Sequence, residues 1–269
     1  MIKVVKIGGN VVDNPQLLEN FIKDFTSMEG PKVLIHGGGV MASQMQRQLG
    51  QQPVMIEGRR VTDQDTLKIV TMIYAGWCSK SIVAIMQKHG CSAIGLSGAD
   101  ADLITAVRRP PVTAASGETI DYGYVGDVDP SMINSEFIIS LTGQGITPVI
   151  CAITSDGHGN LLNTNADTVA SSVAVSLATH NPSEKVSLIY CFEKEGVLYD
   201  KDDDTSLIQE ITPEYYRTLK EEGRVAAGMI PKLDNSFKAI REGVAGVTIK
   251  HARNLLNRTG TELIGQITI

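Results

Sequence analysis

The residues of this chain best suited to chemistry are cations and glycines placed near the ends of apolar segments. Lys6 falls near the end of the β-branched run Ile2 to Ile7, where its ammonium is partly buried unless it snorkels at an edge or meets an anion. Gly8-Gly9 follows at once, and Gly37-Gly38-Gly39 follows a second apolar run and His36. Glycines after a strand let backbone approach a ligand closely, and the helix beyond offers amides and positive potential to an anion. Gly8-Gly9 alone is equally a tight turn, whereas three glycines entering a helix cost more backbone entropy than a turn requires. Lys232 follows Gly228-Met229-Ile230-Pro231 and falls in the first turn of a helix with Pro231 expected at N1. A cation there opposes the helix dipole, so it is either exposed and tolerated or matched by an anion.

Two further groups accompany these. Asn163-Thr164-Asn165-Ala166-Asp167 leads into a helix that Asn165 can cap and whose first turn suits Asp167, but capping does not account for Asn163. Arg59-Arg60-Val61-Thr62-Asp63 precedes a long helical pattern with Thr62 as the expected N-cap, and an arginine pair can hold carboxylates bidentately if it is not simply solvated.

The elements that must position these residues alternate. After the first strand, Asn14-Pro15 opens a helix with Leu17, Leu18, Phe21, Ile22 and Phe25 as its buried stripe. Val33 to Ile35 is a buried strand, and Met41, Met45 and Leu49 mark the helix after the glycines. A hairpin is expected around Pro53 to Glu57, a long helix from about Asp63 to Lys88, a strand at Ala93 to Leu96 and short hairpins over 100–129. A helix at 131–143, a strand at 147–153, an Asp156-Gly157 turn and a helix from Ala166 to Leu177 follow. Past a break at His180-Asn181-Pro182 come a strand at 186–191, helices near 213–222 and 231–242, and a strand at 246–250. This is an α/β pattern with a mostly parallel sheet covered on both faces, and ligands belong beyond the strand C-termini.

Composition narrows the function. With 269 residues and a net charge of -6, the chain lacks the clustered basic face that nucleic acid or an anionic membrane requires. No apolar run looks long enough for a membrane span and no secretory segment is visible, so a cytoplasmic protein is expected. Cys78, Cys91, Cys151 and Cys191 are scattered and read as reduced thiols. The five histidines include no pair at metal-ligand spacing, so no protein-held metal is expected. There is no Walker A motif. Gly37, Gly39 and Ala42 satisfy G-x-G-x-x-A, but the ribose-holding acid that a dinucleotide site needs could only be Glu57, in a hairpin-like segment.

Lys6-Ile7-Gly8-Gly9, His36-Gly37-Gly38-Gly39, Arg60-Val61-Thr62-Asp63, Asn163-Thr164-Asn165-Ala166-Asp167 and Gly228-Met229-Ile230-Pro231-Lys232 together resemble the amino-acid kinase family, most closely its N-acetylglutamate kinase branch. Tyr122-Gly123-Tyr124-Val125-Gly126-Asp127 is similar to a hairpin of that branch, and the match runs through nearly the whole chain in order. The resemblance implies a three-layer αβα sandwich, with an acylglutamate-binding and dimerisation lobe over 1–180 and a nucleotide lobe over 181–269. It implies ATP, arriving with Mg2+, and an N-acyl-L-glutamate as substrates, and a homodimer as the assembly. Lys6 and Lys232 would stabilise the transferring phosphoryl group and Asp167 would orient them. Gly38 and Gly39 would contact substrate and phosphoryl group through the backbone, Arg60 would grip a carboxylate, and Asn163 would bind the amino-acid end. Gly8, Gly9, Glu193 and Gly196 would serve the nucleotide.

The pattern departs from the branch in two places. Phe192-Glu193-Lys194-Glu195-Gly196 stands where the branch has Ser or Thr, then Asp, before a glycine, so Glu193 would replace the aspartate. Arg59 stands where leucine is common, and an extra cation there could accept an acidic acyl group such as succinyl unless strand alternation turns it away. Arginine-inhibited members carry an extra N-terminal helix, whereas here a strand is expected from Ile2, which points to a dimer insensitive to arginine. A non-catalytic sensor of the same fold and a nicotinamide oxidoreductase are the other readings.

Overall fold

Among the described residues, eight strands form one sheet: β1 (Ile2–Ile7), β2 (Lys32–His36), β5 (Ala93–Leu96), β10 (Thr147–Cys151), β13 (Val186–Phe192), β14 (Glu210–Ile211), β15 (Gly246–His251) and β16 (Thr261–Leu263). Their order is β14-β16-β15-β13-β1-β2-β10-β5, and every neighbouring pair is parallel except β15 with β16. The remaining strands pair as short antiparallel ribbons: β3 (Met55–Ile56) with β4 (Arg59–Arg60), β6 (Val107–Arg108) with β9 (Gly126–Asp127), β7 (Val112–Thr113) with β8 (Thr119–Ile120), and β11 (Ile153–Ser155) with β12 (Leu161–Asn163). This is a computed structural model that describes residues 1–56, 58–113, 117–200, 202–226 and 228–265.

The central strands are apolar on both sides because helices cover both faces. On one face, α1 (Gly9–Val12), α2 (Pro15–Ser27), α3 (Gly39–Gln48), α4 (Gln64–Thr71) and α5 (Ser79–Lys88) pack on Val5, Ile7, Leu34, Val149 and Cys151. On the other, α6 (Ser135–Gly143), α7 (Ala166–His180), α8 (Pro213–Glu221) and α9 (Ile230–Arg241) pack on Val4, Val33, Ile35, Ile150 and Leu188. The α/β sandwich expected from the alternating pattern is the fold observed.

Several local expectations are refined. Asp63, not Thr62, caps α4 by accepting from Thr66 N, because the Thr62 hydroxyl donates instead to Arg60 O. Pro231 takes the second position of α9, since Ile230 is already helical, and Lys232 remains in the first turn. Strand β10 stops at Cys151, and the expected helix over 131–143 is a 3₁₀ turn at Pro130–Met132 followed by α6, which Asn134 caps. Strands β14 and β16 have only two and three residues, too few for a periodic signal. Glu57, the acid on which a dinucleotide reading depended, lies outside the described residues.

The long helix expected from about Asp63 to Lys88 is observed as the continuous helical stretch Gln64–Lys88 of 25 residues, which, contrary to expectation, is long and apolar enough by composition to cross a membrane. Its apolar side is spent on the sheet: Ile69, Val70, Ile73, Tyr74, Cys78, Ile82 and Met86 are all buried there. Within it, Met72–Cys78 widens to a π-helix, a deviation that often marks functional regions.

The turn at Gly123 ties the hairpin around Arg60 to the rest of the fold. Tyr124 N donates to Thr62 O and Thr62 N donates to Tyr122 O, which brings Gly123, at φ +75, so close that a β-carbon would stand 2.3 Å from Thr62 O. Left-handed backbone costs a non-glycine residue ~1–2 kcal/mol before any clash. Gly123→Ala is therefore expected to lower stability by at least ~2 kcal/mol, and a denaturant-unfolding curve unchanged from wild type would refute this.

Candidate active site

The C-terminal ends of β1, β2, β10 and β13 open on a cleft of about 530 Å³. Of the site residues predicted from sequence, Lys6, Gly8, Gly9, Gly38, Gly39, Arg60, Asn163, Asp167, Glu193 and Lys232 line it, and Gly196 does not. Gly196 packs instead beside β16, where a β-carbon would stand 2.6 Å from Thr261 Oγ1, so close packing accounts for this glycine without a ligand.

Period-two alternation places Lys6 on the same face of the sheet as Val4, and its register partners are Ile35 and Tyr190. That face carries α7, whose first turn presents Asp167. Lys6 Nζ lies 2.7 Å from Asp167 Oδ1 in an ion pair, and Lys232 Nζ, from the first turn of α9, donates to Oδ2 at 2.7 Å. Both lysine side chains are 14% exposed, so each charge is largely removed from water. Lys232 also lies 4.9 Å from the centre of the Tyr190 ring and 5.6 Å from that of Phe192, within cation–π range. Burial alone would raise the Asp167 pKa, but the charges of Lys6 and Lys232 overcome it and hold the carboxyl well below the usual range. For Lys232, burial lowers the pKa and Lys6 adds to that, while Asp167 supports the charged form.

The two glycine turns face each other. A β-carbon on Gly9 would stand 3.7 Å from Val40 Cγ2 and 3.9 Å from Gly39 N. One on Gly38 would stand 2.8 Å from Tyr74 Cδ1 and 3.0 Å from Cys78 Sγ, so the π-helix presses directly on this loop. Gly8 N is used by the sheet, donating to Cys191 O at 2.9 Å.

Arg60 is 7% exposed and already engaged: its guanidinium donates to Gln46 Oε1, to Gly39 O at 2.8 Å and to Ser43 Oγ at 2.7 Å. Gln46 in turn donates to Thr66 Oγ1, so a buried chain of hydrogen bonds fixes the arginine at the cleft wall. Asn163 Nδ2 donates to Thr62 Oγ1 at 3.0 Å, joining β12 to the Arg60 hairpin. Arg59 lines the same cleft, so alternation does not exclude it from the site. Asn10 Nδ2 donates to Glu193 Oε1 at 2.9 Å, which links the first glycine turn to the end of β13.

Sequence reasoning missed Asn10, Ser43, Gln46 and Tyr74. Only Asn10, adjacent to Gly9, had a local signal; the others are ordinary helix residues whose roles depend on Arg60 and Gly38 arriving from elsewhere in the chain. Cys78, Cys151 and Cys191 offer no nucleophile, because burial pushes their thiols up to about 12. Among the described residues, no group of three or more His, Cys, Asp or Glu could hold a metal ion. What the cleft offers is cations and backbone amides around the ionised Asp167 carboxylate.

The amino acid kinase family model matches residues 1–251. The chain belongs to the amino acid kinase family. It is 48% identical to an acetylglutamate kinase of Cytophaga hutchinsonii over 97% of each chain, and 44% identical to one of Bacteroides thetaiotaomicron, again over 97% of each. Among solved structures, smu.665 of Streptococcus mutans UA159 superposes with a TM-score of 0.75 at 27% identity, covering 97% of this chain and 98% of that one. A carbamate kinase of Giardia shares the fold at a TM-score of 0.67 and 12% identity, covering 98% and 99%.

In this amino acid kinase, replacing Asp167 with Asn would leave two buried ammonium groups facing each other without a carboxylate. Asp167→Asn is expected to lower kcat by at least about 100-fold, the scale on which loss of one preorganised electrostatic group acts. Steady-state kinetics within about 3-fold of wild type would show that the bridge does not serve catalysis.

Proposed function

We propose that this chain transfers the γ-phosphoryl group of ATP to the side-chain carboxylate of N-acetyl-L-glutamate, giving ADP and N-acetyl-L-glutamyl 5-phosphate, a step of arginine biosynthesis. The observation that carries this reading is the bridge Lys6–Asp167–Lys232 at the mouth of two opposed glycine turns. Relatives at 44 to 48% identity over nearly the full chain, named acetylglutamate kinases, support the acceptor.

The chemistry fits what the cleft supplies. A carboxylate oxygen attacks the γ-phosphorus, the bond from that phosphorus to the β,γ-bridging oxygen breaks, and ADP leaves with the electron pair. The nucleophile is already ionised at neutral pH, so no general base is needed. Phosphoryl transfer depends on positioning and on neutralising charge spread over the phosphoryl oxygens. Lys6 and Lys232 supply the charge, Asp167 keeps them a fixed distance apart, and the Gly38 and Gly39 amides complete the cradle. Arg60 and Asn163 hold the amino-acid end. Gly8, Gly9 and Glu193 belong to the nucleotide side, and Mg2+ arrives on the ATP phosphates. Residues 1–180 form the acylglutamate lobe and 181–269 the nucleotide lobe.

The test is ADP release with MgATP and N-acetyl-L-glutamate, with hydroxylamine trapping of the acyl phosphate. Turnover that disappears in Lys6→Ala is the expected outcome, and its absence from folded, ATP-binding wild type would overturn the reading. The position of Arg59 on the cleft favours a second reading, in which the acceptor is N-succinyl-L-glutamate. In that case Arg59→Leu shifts preference toward the acetyl substrate; an unchanged ratio of kcat/KM values sinks it.

The same reading includes a cytoplasmic homodimer. Trp77 is 64% and Met72 58% exposed on the helical stretch that covers the edge strand β5, a costly arrangement for a face left in water. Sedimentation of Trp77→Glu is expected to show monomer where wild type shows dimer.

A further inference from the structure

His36 ends β2 on the sheet face opposite Lys6, between its register partners Ile7 and Cys151, and is fully buried. Its Nδ1 lies 2.8 Å from Gly37 O. A carbonyl can only accept, so Nδ1 carries the ring proton. Burial lowers the pKa to about 4, which leaves the ring neutral, and Nε2 has no hydrogen-bond partner. An unpaired buried acceptor is destabilising, and the catalytic steps above use none of this imidazole's chemistry.

The carbonyl it holds belongs to the peptide between Gly37 and Gly38. In a trans peptide the C=O and the following N–H point in opposite directions. Holding Gly37 O toward the His36 side of the sheet therefore aims the Gly38 N–H toward the other side, where Lys6 and the first turn of α7 lie. Gly38 lines the cleft, and among the described residues its N–H donates to no protein group. A peptide flanked by two glycines has little steric preference between its two orientations, so something else must choose one.

We infer that His36 is a positioning residue that locks the Gly37–Gly38 peptide with its amide presented to the transferring phosphoryl group. This rests on the phosphoryl-transfer reading above. The imidazole acts only as an Nδ1–H donor, and an asparagine at this position carries an amide N–H close to where Nδ1 stood, whereas leucine carries none.

The experiment compares kcat, both KM values and thermal unfolding of wild type, His36→Leu and His36→Asn, with the ring tautomer of wild type read by ¹⁵N NMR. The expected result is a kcat about 10- to 100-fold lower in His36→Leu, with KM values changed less than about 3-fold, and recovery of most of that loss in His36→Asn. Equal kcat losses in both variants, or losses that follow the unfolding temperature alone, would overturn the proposal. So would an Nε2–H or charged ring in wild type, a result that does not depend on the substrate. A wild type that turns over no acylglutamate yet shows the Nδ1–H tautomer would remove the assigned acceptor and leave the peptide lock supported.

Discussion

Two ammonium groups drawn from opposite ends of a chain repel each other and lose hydration when a cleft closes around them, and both costs are lifted here by one carboxylate. Asp167 lies 2.7 Å from Lys6 Nζ and 2.7 Å from Lys232 Nζ, and the pair holds it ionised against its own burial. The rest of the architecture follows from that requirement. β1 must run parallel beside β13 so that Lys6 and Tyr190 share a face, α7 must start where β1 ends, and α9 must begin with its first turn over the same spot. A lysine in the first turn of a helix, unfavourable alone, becomes acceptable once Asp167 faces it and Tyr190 and Phe192 offer their rings.

Around this bridge the site is built from backbone as much as from side chains. The glycine turns approach each other because neither carries a β-carbon, and the second turn is held by the Tyr74 ring packed against Gly38 and by the His36 donor on Gly37 O. The π-helical stretch Met72–Cys78 brings Tyr74 and Cys78 onto the loop within a helix that otherwise serves as ordinary core. Arg60 extends the same principle. Its guanidinium is fixed by Gln46, Ser43 and Gly39 O, so folding itself orders this side chain at the cleft wall.

The hydrogen bonds that join the hairpins to the sheet carry no chemistry themselves but set where the chemical groups stand. Thr62 donates to Arg60 O, accepts from Asn163 Nδ2 and pairs through its backbone with Tyr122 and Tyr124. One threonine thus links three segments that sequence distance keeps far apart, and it is unavailable as the helix cap its position suggested; Asp63 takes that task.

The sequence by itself determined the alternating α/β layout, the helix starts at Pro15 and Ala166, and most of the ten predicted residues that line the cleft, because strand burial, capping and glycine after a strand are local properties with strong signals, whereas Glu193 entered only through the family resemblance. The resemblance also assigned Gly196 to the nucleotide; that glycine does not line the cleft and packs against Thr261 and Leu207. The family resemblance implied that Asp167 orients Lys6 and Lys232, but only tertiary structure builds that bridge: nothing in the spacing of the three residues says that they meet, since that depends on strand order. Tertiary structure likewise decided the roles of Gln46, Tyr74 and His36, whose side chains act only on groups that folding brings to them or on a peptide whose two faces exist only once the sheet is formed.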